Sequence, residues 1–498
     1  MTKSVLMLAM IVFLTAGCGG GGKHGDADAA DDAAPDPDVE AEVPVDGDVQ
    51  QDPDADPPPD GDVPADPDVQ EEEITPVVCD GNCHYVREGA GGSGDGSDWT
   101  NAWTGLPADL QRGHVYFVAA GSYPGYDFDD AESGEEWIVV RRATSGDHGT
   151  DTGWEGAFGE GVAQFDGTLT FSTSFIEVDG AAGGGPGGWE TGFGFKIMIT
   201  TEGTKNVRVG DGVGHVTLAH IDMENTGLST NDDNADIVYA PSGNHHLTIS
   251  RCFLHDVCRT HLLTRGGSNI LIEYSKIARN GGEGDDIHRE ALSDTGSDRI
   301  VIRWSIFEDI TNTGILVALS SGCTDPSTGG DDEDDWEIYG NVFWRKDWGS
   351  IGAGAIQVIN CERAHRWKVY NNTFVGLHSL QAGVRLENAS TDNEAYNNLW
   401  YGNLANAVVV TGGFVSDYNW FGENMNFDDP SLPSMIPEDE PNIQLGTGNP
   451  LIDWENGDFG LAAATDAGFS LPAPYNVDMF GNVRGADGVW DRGAIELP

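Results

Sequence analysis

Three consecutive stretches of this chain concentrate the residue types that acid–base chemistry uses: Asp232, Asp233 and Asp236; then Arg259, His261 and Arg265; then Asp285, Asp286, His288, Arg289 and Glu290. Two reactions suit such a set. In β-elimination from a uronate, a base takes the proton α to a carboxylate whose charge must be neutralised. His261 or His288 would be the base, Arg265 the carboxylate clamp, and Asp285 and Asp286 ligands for a Ca²⁺ cofactor. In glycoside hydrolysis two carboxyl groups flank the bond, and Asp236 and Glu290 are the pair in reach, at a separation nearer the inverting kind. The bland alternative is that the acids and histidines are turn residues bonded to their own backbone, with His261 and His288 structural. Trp344, Trp348 and Tyr401 follow or bracket core positions and, if exposed, would stack on sugar rings.

Any such site depends on what lines these residues up. A pattern of apolar–x–apolar, four residues, apolar recurs seven times: Val216/Leu218/Met223, Leu247/Ile249/Leu254, Ile270/Ile272/Ile277, Ile300/Ile302/Phe307, Trp336/Ile338/Phe343, Trp367/Val369/Phe374 and, more weakly, Ala395/Trp400. One copy cannot bury its own apolar edge, so the copies must stack. Asn341, Asn372 and Asn398 hold one place in the repeat, where an Asn tolerates a left-handed backbone and bonds its neighbour on the next rung. A second alternating strand lies between copies, as in Ile315/Val317, Ile356/Val358 and Val384/Leu386. Short strands, abundant Gly and no helical period predict an all-β solenoid, a parallel β-helix. If Asp236, His261 and His288 share a column in such a stack, they form a line with steps of about 5 Å.

The copies Tyr370–Phe374 and Tyr396–Trp400, the opening Gly113–Tyr123 and the closing Asp491–Glu496 resemble the right-handed parallel β-helix, or pectate-lyase-like, superfamily in its secreted bacterial branch. The resemblance spans roughly Tyr85 to Glu496. It implies the fold and leaves the chemistry open, because one scaffold serves many functions. Glu290–Gly296 with Arg303 and Phe307 resembles alginate- and chondroitin-lyase β-helices, which place a Lys near the position of Thr295 and an Arg-His-Gly on the following coil. Here that coil reads Ala318–Gly322, and the similar Arg265-Gly266-Gly267 lies on the preceding one.

The beginning of the chain concerns location. Lys3, the apolar run Val5–Leu14 and Thr15-Ala16-Gly17-Cys18 form an export signal too short to span a bilayer. The residues before Cys18 resemble a lipobox, which implies a lipid anchor at Cys18 and an outer-membrane or cell-surface location. Residues 26–73 hold twenty Asp and Glu and no Lys or Arg, among Pro, Gly and Ala; such a segment is a disordered tether. The domain expectation is therefore a signal over 1–17, a linker over 18–78 and one β-helix domain over 79–498. Within that domain a cap covers about 79–112, coils about 113–425 and a terminal segment about 426–498. A net charge of −58, most of it outside the tether, argues against nucleic acid as partner. A polysaccharide partner and a monomeric state are expected. Cysteines other than Cys18 are even in number, so disulfides are expected: Cys79 with Cys83, Cys252 with Cys258, and Cys323 with Cys361 on adjacent coils. Ala181–Gly188 reads as a flexible loop and Asp331–Asp335 as a solvated insertion.

The function expected is recognition or cleavage of an extracellular polysaccharide, as lyase or hydrolase. The alternative is a non-catalytic adhesin or scaffold.

Overall fold

Val216 lies beside Leu247, Ile249 beside Ile272, Ile270 beside Ile300, Ile338 beside Val369 and Val369 beside Ala395, every pair parallel. The sequence repeat is thus one rung of a solenoid. The computed structural model describes Cys79 and residues 81–229, 235–281, 289–318, 332–346, 354–359, 362–377, 383–386, 390–402, 408–410, 414–422 and 441–497. Cys18, Asp232, Asp233, Asp285, Asp286, His288, Cys323, Trp348 and Cys361 lie outside the described residues, as does the tether.

Each rung places strands on three faces. The first face is a sheet of twelve strands among the described residues, running from Cys83–Val86 to Phe414–Asp417, every neighbouring pair parallel. The strand Cys83–Val86 pairs with Val115–Val118, so the stretch expected to cap the solenoid supplies its first strand. The second and third faces begin as one. Ala163–Phe171 pairs through its first half with Phe195–Ile199 and through its second half with Val207–Val209. From there two columns run separately. One carries Ile197, Met223, Leu254, Ile277, Phe307, Phe343, Phe374, Trp400 and Phe421 in register. The other carries Val238, Leu262, Leu292, Ile315, Ile356 and Val384. These side chains form one continuous apolar core. Phe307, Phe343, Phe374, Trp400 and Phe421 stack ring on ring at centroid spacings of 4.6–5.1 Å, which is the strand spacing itself.

The corner from the first to the second face explains the asparagines. The chain bends there through one residue at positive φ: Arg251, Tyr274, Trp304, Gly340, Asn371, Asn397 and Tyr418 on successive rungs. The next residue ties the corner to the rung above. Ser305 N–H donates to Asn341 Oδ1, Asn341 to Asn372, Asn372 to Asn398 and Asn398 to Asn419, at 2.8–3.0 Å. Ser275 and Ser305 accept equivalent bonds from Cys252 and Ser275. A buried column of amides therefore satisfies backbone donors that the sharp bend takes away from the ladder.

The terminal segment folds back over the outside of the later rungs. Tyr475 packs edge-on against Tyr339 and Tyr370 at 4.9 and 5.0 Å, and Phe459 against Trp344 at 5.2 Å. Trp490 Nε1 donates to Asn371, and Ala494 N–H to Thr373. The closing Asp491–Glu496 is the latch. Glu496 accepts from Asp491 N–H inside it, Asp491 accepts from Thr465 N–H, and Arg492 donates to Asn419 O.

Cys79 and Cys83 form a disulfide with Cα atoms 5.4 Å apart. The expected Cys252–Cys258 bridge does not form. Cys252 is a buried free thiol, and Cys258 is disulfide-bonded to a partner outside the described residues. The strand Phe253–Val257 separates the two. Extended chain carries them roughly 20 Å apart, far beyond disulfide reach.

Candidate functional site

Val238 pairs with Leu262 and Leu262 with Leu292. This register puts Asp236, Thr260 and Glu290 in one column and His261 in the next, beside Ile237. The expected Asp236–His261–His288 line is therefore broken at His261. Asp236, His261 and Glu290 are all fully buried. Asp236 accepts from Arg259 at 2.7 Å; burial raises its pKa and Arg259 opposes the rise. His261 Nε2–H donates to Ala278 O at 2.9 Å, and burial depresses the ring's pKa to about 4. It is a neutral corner residue closed off from solvent. Glu290 accepts from Asn312 and lies too deep to act with Asp236 on a glycosidic bond. The strand begins at Leu292, beyond the charged run, and Glu290 is still taken inside at the corner.

Arg265 is exposed on a turn, on the far side of Leu262–Thr264 from that column. Trp344 lacks the exposure that a stacking role requires: it is 6 % exposed beneath the terminal segment, between Phe459 and Lys276. Tyr401 is half-buried beside Trp420 and Trp454.

A different constellation lies on the outside of the second face. Residues flanking each inward anchor point outward, so the positions beside Ile197, Met223, Leu254, Ile277 and Phe307 form a surface of charged rungs. Lys196 Nζ sits 2.6 Å from Glu224 and 3.3 Å from Asp222. His255 lies between two carboxylates, Nε2 2.7 Å from Asp222 and Nδ1 2.6 Å from Asp256. Arg279 clamps Asp256 through Nε and a terminal nitrogen, both at 3.0 Å. Lys276 pairs with Glu308 and with Glu190. Glu190 arrives from the glycine-rich loop, whose Phe193 stacks over Phe253. That loop is therefore anchored over the face. Gly184 lies so close to Arg251 that an added Cβ would meet the Arg251 carbonyl oxygen at 2.0 Å.

The electrostatics are mutually reinforcing. Burial disfavours the His255 cation, but its bonds to Asp222 and Asp256 outweigh burial and raise its pKa. Burial likewise opposes Asp256, yet His255 and Arg279 hold its carboxyl well below the usual range. Lys196 is moved upward despite burial by Glu224 and Asp222. His255, Lys276 and Glu308 lie deep, whereas Asp256 and Arg279 are open at the rim. Beside them is a cleft of roughly 440 Å³ lined by Glu190, Thr191, Phe193, Asp222 and Arg142. The arrangement offers alternating donors and acceptors along the solenoid axis, with both ring nitrogens of His255 taken up by carboxylates. A sequence signal existed: Asp222, Glu224, His255, Lys276 and Glu308 all fall within two places of the repeat's last apolar anchor.

No protein-family model and no curated protein matches this chain. Among solved structures it is similar to the pectate lyase Pel9A, at 12% identity over 84% of this chain and 96% of that one, with a TM-score of 0.40. It is also similar to XylC in complex with xylose, at 8% identity over 84% and 98%, TM-score 0.45. A polysaccharide lyase of family PL6 from Pseudopedobacter saltans aligns at 11% identity over 73% and 94%, TM-score 0.34. No residue role is carried across at this level of similarity. The parallel β-helix assignment rests on the strand register described above.

Proposed function

We propose that this protein recognises an extended polysaccharide along the outer second face, between Lys196 and Glu308. The observation that carries this reading is the run of outward acids and cations on consecutive rungs, rimmed by a cleft. Their near-balance of charge gives sugar hydroxyls both donors and acceptors. A bare polyanion would have to displace carboxylates from their cations. The second reading is cleavage, as lyase or hydrolase, for which Asp256 and Arg279, open at the rim, are the ionisable groups a bound chain can reach. The expected anchoring at Cys18 and surface location belong to the same proposal, since a tethered solenoid would meet polymers outside the cell.

The test is to incubate the full chain with neutral and uronic polysaccharides, with and without Ca²⁺. Gel retardation, reducing ends and the ultraviolet absorbance of unsaturated uronates are then followed. Retardation alone means a binding module; reducing ends alone mean a hydrolase; both chemical signals together mean a lyase. Silence across the panel sinks the proposal. Cys18→Ala with fractionation tests the anchor: a variant still recovered with membranes would rule it out.

A further inference from the structure

On the first face, at the corner where each rung enters that sheet, the backbone again passes through one residue at positive φ: Phe175, His215, His246, Asn269, Arg299, Asp335, Arg366 and Asp392. A left-handed residue throws its side chain outward in a fixed direction, and non-glycine residues tolerate this at a cost. Gly214 pairs with His245 and Val216 with Leu247, so His215 and His246 are direct neighbours on adjacent rungs. Their rings stack at 4.3 Å and 6°, and Phe175 continues the stack below His215 at 4.5 Å. The His245 ring stands nearly perpendicular to both, at 83° and 89°.

This brings three imidazoles together. One ring nitrogen from each lies within 4.8 Å of the other two, and the Nδ1 atoms of His245 and His246 are 3.0 Å apart. Nitrogens on a tetrahedral zinc are about 3.4 Å apart and each lone pair lies in its ring plane, so binding requires the half-buried His215 and His246 rings to tilt out of their parallel stack toward a shared point. Gly214 makes the arrangement feasible, because a Cβ there would meet His245 Nδ1 at 2.2 Å. Glu132 and Glu135 lie near enough to act on His215 and supply a negative field for a cation.

We propose that His215, His245 and His246 bind one divalent transition-metal ion of the zinc type across two neighbouring rungs, leaving a fourth position for water or a carboxylate. Imidazole donors without thiolates suit Zn²⁺, Ni²⁺ or Cu²⁺ over Ca²⁺ or Mg²⁺. The site lies on a different face from the charged rungs of the second column and does not depend on the glycan reading.

The probe is Co²⁺ titrated into the metal-stripped full chain. We expect the intense visible d–d bands of a four-coordinate site saturating at one equivalent, bleached by Zn²⁺ and untouched by Ca²⁺. Carboxylates elsewhere on this acidic chain would give only the weak bands of six-coordinate Co²⁺. His245→Ala and His246→Asn should each abolish the intense bands. Asn is chosen at 246 because it accepts the left-handed backbone, and circular dichroism checks that the variant is folded. Absence of the intense bands in the parent chain, or their persistence in folded His246→Asn, overturns the proposal.

Discussion

Arg259 donates to Asp236 at 2.7 Å inside a corner of the solenoid, with the carboxylate fully buried and the guanidinium nearly so. An ion pair removed from water is weak evidence for stability but costly to break. Asp236→Ala should destabilise by about 3–5 kcal/mol, with any loss of glycan binding tracking the unfolded fraction. Urea melts of Asp236→Ala, Arg259→Met and the double variant would check this. The double variant should cost less than the sum, and strict additivity would deny the pairing.

His261 and His255 give opposite pH limbs. The folded pKa of His261 is depressed to about 4 by burial, so its contribution is complete above the unfolded value near 6.5 and is lost as pH falls toward 4. At 1.36 kcal/mol per unit this is roughly 3 kcal/mol. The folded pKa of His255 is raised by its bonds to Asp222 and Asp256, against burial. Its contribution is complete below about 6.5 and fades as pH rises through the folded value. Urea midpoints against pH should lose the acid limb in His261→Asn and the alkaline limb in His255→Gln. Unchanged slopes in either variant would contradict these environments.

Glu333 is buried against Glu362, and burial followed by that neighbour raises its pKa. Asp294, also buried, is pushed up to about 6, with Thr264 and Ser297 opposing. Acids with raised pKa contribute most at low pH, and their contribution is lost as pH rises above the unfolded carboxylate range. Glu333→Gln should therefore raise stability at pH 8 more than at pH 5. The check is thermal melts of variant and parent at both values, with a larger gain at pH 5 as the contrary result.

His255 and Arg265 test the charged face. His255→Gln, assayed at pH 6 where both forms fold, should lower glycan retardation about tenfold or more, as expected when the charge-assisted bonds that fix Asp222 and Asp256 on that face are lost. Arg265→Ala, exposed on its turn away from that face, should leave retardation unchanged. Equal loss from both substitutions would point to a glycan path other than the second face.

Trp344 is packed beneath the terminal segment, so Trp344→Ala should cost about 3–5 kcal/mol and alter binding only through folding. Phe459→Ala should expose the indole, read as a fluorescence red shift. Loss of binding in a fully folded Trp344→Ala chain would restore a sugar-stacking role.

The apolar repeat was legible in sequence because each rung must present the same inward residues to the rung above; seven copies and the asparagine place follow from that demand alone. The third-column strands at Ile315, Ile356 and Val384 were legible for the same reason. Register was not. Whether Asp236 stands over His261 or over Thr260 depends on a one-residue offset set by the lengths of the preceding corners, and a one-residue offset moves a side chain to another column. Burial at corners was also hidden, since His261 and Glu290 are polar residues taken inside by bends that periodicity does not describe. Sequence by itself thus determined the stacked β-helix. Only the tertiary structure decided which ionisable groups face solvent, because that choice is made by the register between rungs and by distant segments, the loop bearing Glu190 and the latch over Trp344, that fold back across them.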